Sequence, residues 1–188
     1  MRFKPLVESE MTEEQRAVYQ ETSSGPRKRS GPPAHRGTDL LLRCPELARN
    51  AQRIGAYVRY ASTLPEHIKE LAILMTARHW SAQYEWYAHY EVALKSGLDA
   101  KLIAELAQGK RPVCMKLDEA AAYEFCTELQ RDKKVSDATF DAALRHFGET
   151  GIMDLIGIAG YYGMISMALN VNQSPLPPGV PDPLPPLK

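Results

Sequence analysis

The residues with the clearest capacity for chemistry are Glu85 and His89, in the string Ala82-Gln83-Tyr84-Glu85-Trp86-Tyr87-Ala88-His89. A spacing of four on a helix puts both side chains on one face, about a turn apart. Histidine near neutral pH both donates and accepts protons, and a neighbouring carboxylate fixes its tautomer and stabilises its charged form. Glu85 falls in the first turn of the expected helix, where the positive end of the dipole favours a carboxylate. Tyr84, Trp86 and Tyr87 around the pair would limit water and sharpen its electrostatics. Such a pair suits moving a proton on or off carbon. Glu70, on the preceding helix, is placed to reach the same spot. The plainer reading is a surface i,i+4 ion pair contributing about 0.3 kcal/mol.

The elements that must position these residues read as helical nearly throughout, and the fold class is all-α. Thr12 with Gln15 forms a capping box for a first helix running to about Ser23. Residues 25–37, GPRKRSGPPAHRG, form a Gly- and Pro-rich loop. A helix from Pro45 to about Ala61 carries Leu47, Ile54, Val58 and Ala61 as its expected inward face. The next starts at Thr63-Leu64-Pro65-Glu66, with Leu71, Leu74 and Met75 on its apolar side. The helix bearing Glu85 and His89 spans about Ala82 to Ser96 and stops at Gly97. Asp99 opens a short helix, Asp118 is expected to cap another, and Ser136 or Asp137 begins one ending at Gly148.

Leu155 to Leu169 then carries 15 residues without a charge, fewer than the roughly 20 that a membrane span requires. A buried central or subunit-interface helix is expected there, with Gly157, Gly160 and Gly163 allowing close approach of a neighbour. The division expected is one helical domain over residues 1–170 and a Pro-rich tail over 171–188. That tail holds seven prolines in 18 residues, so it is extended, either free or docked through Leu176, Val180, Leu184 and Leu187.

Bulk composition removes several function classes. Lys plus Arg equals Asp plus Glu at 23 each, so no net field draws the chain to nucleic acid or an anionic membrane. Cys44, Cys114 and Cys126 form no CxxC or zinc-like cluster, and an odd count argues against a disulfide framework. A cytoplasmic setting is expected, since the amino-terminal MRFKPLVESE has no apolar signal core.

The stretch from Glu70 to Gly97 resembles the carboxymuconolactone decarboxylase and alkylhydroperoxidase D-like superfamily. Glu70, eleven residues, Ala82-Gln83-Tyr84-Glu85, three residues and His89 is similar to that family's signature, and Ala93 with Gly97-Leu98 continues it. In the peroxidase branch a CxxC occupies the positions that are Ala82 and Glu85 here, so this chain resembles the cysteine-less decarboxylase branch. The resemblance implies an all-helical protomer assembling as a homotrimer or homohexamer, and a decarboxylase-like lyase that requires no cofactor. It implies a small carboxylated or lactone-like substrate, with His89 delivering a proton, Glu85 orienting or relaying, and Glu70 supporting from behind.

Other candidates have plainer readings beside the functional one. Tyr84 and Trp86 are candidate substrate contacts, and such aromatics also serve as packing. Arg78 could grip a substrate carboxylate bidentately, as could the basic loop with Arg27, Lys28, Arg29, His35 and Arg36. His79 beside Glu85 and His89 matches no familiar zinc motif, so no metal is expected. His67 reads as surface. Two other functions remain open: a thiol peroxidase, which lacks its CxxC, and a non-catalytic oligomeric binding module.

Overall fold

The computed structural model describes residues 1–24 and 37–186, and among these there are helices and connections but no strand. The eight α-helices are α1 (Glu13–Ser24), α2 (Gly37–Leu40), α3 (Pro45–Tyr60), α4 (Glu66–His79), α5 (Gln83–Lys95), α6 (Ala100–Ala107), α7 (Leu117–Thr127) and α8 (Asp137–Asn172). The capping box forms as its spacing implies: Thr12 N–H donates to Gln15 Oε1 at 3.0 Å, and Gln15 N–H to Thr12 Oγ1 at 3.2 Å.

The centre of the fold is α4. Every residue from Ile68 to Arg78 is buried, including the polar Lys69, Glu70, Thr76 and Arg78. A helix apolar on one stripe lies on a core, whereas one enclosed all round runs through it. It packs against α5, α7 and α8, and Leu71, Leu74 and Met75 join the main core cluster.

The uncharged stretch falls in α8, whose backbone breaks at Gly148 with φ 65° and ψ 178°. That left-handed geometry suits glycine, and it divides α8 into segments 137–147 and 149–172. The helix is long and apolar enough to cross a membrane by length and composition alone, yet its most apolar window is 56% buried against the protein. Of the three glycines, Gly163 lies closest to a neighbour, the Trp80 indole; an added Cβ at Gly160 would meet nothing within 4 Å.

Three expectations need correction. The buried face of α3 is Ala48, Ala51, Gly55 and Val58, while Leu47 and Ile54 are 44% and 49% exposed. Ala61 is also exposed, beyond the helix end. Small residues face inward because α3 lies directly on α8, where a Cβ on Gly157 would sit 3.6 Å from Val58. The cap of α7 is Lys116, whose N–H donates to Glu119 Oε2 at 2.8 Å. Asp118 instead bonds His67 Nε2 at 2.9 Å, so His67 is a half-buried tie between α4 and α7.

The tail packs on its own chain. Gln83 donates to the Leu184 carbonyl at 2.8 Å and accepts from the Leu184 N–H at 2.9 Å, and Leu184 is buried. Leu187 and the basic loop from Arg27 to Arg36 lie outside the described residues.

Candidate active site

The junction of α4 and α5 sets the site. Helix α4 ends through Ser81, at φ 48°, and the Ala82 N–H donates back to the Ala77 carbonyl at 2.8 Å. This left-handed closure satisfies terminal carbonyls and reverses the chain within three residues. It sets α5 against α4, so the His89 face looks onto the buried Glu70.

His89 is clamped between two carboxylates. Its Nδ1 lies 2.8 Å from Glu70 Oε2, and its Nε2 lies 3.3 Å from Glu85 Oε1. Glu70 is fully buried and also accepts from Arg59 Nη1, which lies 3.4 Å from His89 Nδ1. The rings of His89 and Tyr162 meet edge to face with centroids 5.1 Å apart. Burial alone would lower the His89 pKa, but hydrogen bonds to Glu70 and Glu85, with their charges, raise it to about 9. Burial likewise opposes ionisation of Glu70, and its bonds to His89 and Arg59 outweigh that and hold its pKa below the usual carboxylate value. The resting arrangement is a chain of alternating charge: Arg59 cation, Glu70 anion, imidazolium, Glu85 carboxylate.

The clamp forms the wall of a cavity of about 360 Å³, in the range of small-molecule sites. Glu85, His89 and Tyr84 line it from α5, Tyr161 and Tyr162 from α8, and Gly37 and Thr38 from α2. Glu70 and Arg59 stand behind the imidazole. Among the expected contacts, Trp86 is a core residue with 1% of its surface exposed and does not line the cavity. Arg78 lines a different cavity altogether. No group of three His, Cys, Asp or Glu side chains among the described residues is arranged to hold a metal.

Sequence reading did not single out Arg59, Tyr161 or Tyr162 as site residues. Nothing local marks Arg59, since its partner Glu70 is eleven residues away on the next helix. The two tyrosines sit in a Gly-flanked apolar string that reads as packing until α8 is set against α5.

Taken together, these helices form an all-helical bundle with a charge-clamped histidine, and the bundle is the alkylhydroperoxidase D-like fold. It matches a crystal structure of a protein of unknown function from Agrobacterium tumefaciens, suggested to be the antioxidant defence protein AhpD. The TM-score is 0.63 at 14% identity, covering 73% of this chain and 94% of that one. No protein-family model matches the sequence, and no curated protein does.

Proposed function

We propose that this protein is a cofactor-free acid/base enzyme, a decarboxylase-like lyase acting on a small carboxylated or lactone-like molecule. The observation that carries the reading is the doubly clamped imidazole at the cavity wall, with a pKa raised to about 9. Such a group holds its proton at neutral pH and is ready to act as a general acid.

In the reaction, the carbon–carbon bond to the substrate carboxylate breaks and carbon dioxide leaves. The bonding electrons delocalise into the lactone carbonyl as an enolate. His89 then delivers a proton to carbon and is reprotonated from water. Its Nδ1 is held by Glu70, so the transferable proton sits at Nε2, on the Glu85 side that lines the cavity. Glu85 orients the ring or relays the proton, Arg59 and Glu70 hold the ring from behind, and Tyr84 contacts substrate. The positive charge on His89 also favours the anionic substrate and the developing enolate.

A thiol peroxidase on this fold would place a thiolate at the cavity. None of the three cysteines lines it, and burial pushes the Cys126 thiol up to about 12. Peroxide attack requires the thiolate form.

Assembly as a homotrimer or homohexamer in the cytoplasm accompanies this reading. Ile54, Met153, Ile156 and Met167 leave apolar surface exposed on α3 and α8 that a second copy would cover. The test of function is carbon dioxide release from γ-carboxymuconolactone by wild type and His89→Ala. Turnover in the wild type that is lost in a folded variant supports the reading. Equal turnover in both refutes the role of His89.

A further inference from the structure

A second cavity, of about 260 Å³, lies where the C-terminal ends of α4, α6 and α7 meet, and it shares no residue with the cavity at His89. Arg78, in the last turn of α4, lines it and is 6% exposed. None of its three guanidinium nitrogens, Nε, Nη1 or Nη2, has a hydrogen-bond partner among the described residues.

This sets Arg78 apart from the other buried charges. Glu70 has Arg59 and His89, and Lys69 has Glu66 and the Arg59 carbonyl. Glu119 has Lys116, and Asp154 has Tyr57 and Thr63. A guanidinium stays charged and carries five donors, so an unpaired buried one calls for an acceptor. No carboxylate among the described residues lines this cavity. Those on its flank are committed: Glu124 to Arg111, Glu128 to Ser136 and Thr139, Asp132 to Arg131. Burial lowers the Arg78 pKa, and no anion among the described residues opposes it. Helix C-termini favour a cation at this point, yet no carbonyl of the described residues accepts from it.

The rest of the lining describes what would fit. Lys110, His79 and Arg131 add basic side chains and Thr127 and Gln130 polar ones, while Met75, Leu106, Tyr123 and Cys126 give the cavity an apolar and aromatic wall. A planar carboxylate is the acceptor that matches a guanidinium fork, and the apolar wall calls for a hydrocarbon body behind it. We propose that this cavity binds the carboxylate of a second small molecule, a compact monocarboxylate with an aromatic or aliphatic body, through Arg78. The site is independent of the function proposed for His89.

The test is titration of the wild-type protein with benzoate, followed by NMR of the arginine Nε–H signals. Arg78 is assigned by the signal lost in Arg78→Lys. The expected result is a saturable shift of the Arg78 signal, kept in His89→Ala, with benzoate affinity measured by isothermal titration calorimetry weakened at least tenfold in Arg78→Met. An Arg78 signal that ignores benzoate overturns the proposal. So does one that responds equally to inorganic phosphate, because the apolar wall then contributes nothing. A signal that moves with protein concentration and not with benzoate also overturns it, and assigns the acceptor to a second copy of the chain.

Discussion

Replacing Glu70 by Gln tests the charge clamp most directly. In the folded protein His89 titrates at about 9 against an ordinary value of 6.5, a difference that corresponds to about 3 kcal/mol favouring the folded imidazolium. The folded value lies above the unfolded one, so this stabilisation is complete below pH 6.5 and is lost as pH rises through 9. Urea unfolding between those limits should therefore show wild type losing about 3 kcal/mol relative to His89→Gln, which has nothing to titrate there. NMR of the five histidines should show a ring titrating near 9 that is absent in His89→Gln. In Glu70→Gln the Nδ1 partner loses its charge while burial and the Glu85 contact persist, so the same ring should titrate well below its wild-type value. A wild-type His89 titrating near 6.5, or a Glu70→Gln protein still titrating near 9, would refute the clamp.

Gly37→Ala should destabilise the fold by about 1–3 kcal/mol in thermal unfolding, because its Cβ would clash with Ile165 Cγ2 across the cavity rim. Light scattering should give a particle of three or six times the 21.0 kDa chain, and a monomeric mass would remove the proposed assembly.

The helices were legible because their signals are local. Thr12 and Gln15, Ser136 and Gly97 each act within one turn, and the caps form where they imply. The site was half legible for the same reason. Glu85 and His89 are four apart on one helix, and Glu70 is reached through a single tight turn. Arg59 was not legible, because its role depends on how α3 crosses α4, which no spacing records. The α3 face misled for a related reason. Leu47 and Ile54 carry the helical period of a core stripe, but close approach to α8 admits Ala and Gly and sends the larger side chains outward. Arg78 shows the opposite limit. Its type invited a site at His89, and a guanidinium is long enough that its helix position does not say which cavity it lines.

The state of His89 also separates reactions that would use the same residues. An imidazole held at about 9 is protonated about a hundred to one at pH 7. A lyase whose first event is loss of carbon dioxide meets the ring in the state it needs, since protonation comes last. An isomerase must first remove a proton from carbon, and a protonated His89 cannot do so. Glu85, 3.3 Å from Nε2 and on the cavity wall, would have to be its base. Glu85→Gln therefore discriminates. On the lyase route Glu70 still holds the ring by Nδ1, so single-turnover carbon dioxide release should fall by no more than about tenfold. On the isomerase route, which releases no carbon dioxide and is read as conversion of substrate to its isomer, the only base is gone and the loss should reach about 10²-fold or more. A loss of that size in Glu85→Gln, with folding intact and His89 still protonated at the assay pH, would remove His89 as the sole proton-transfer group and make the carboxylate the working base.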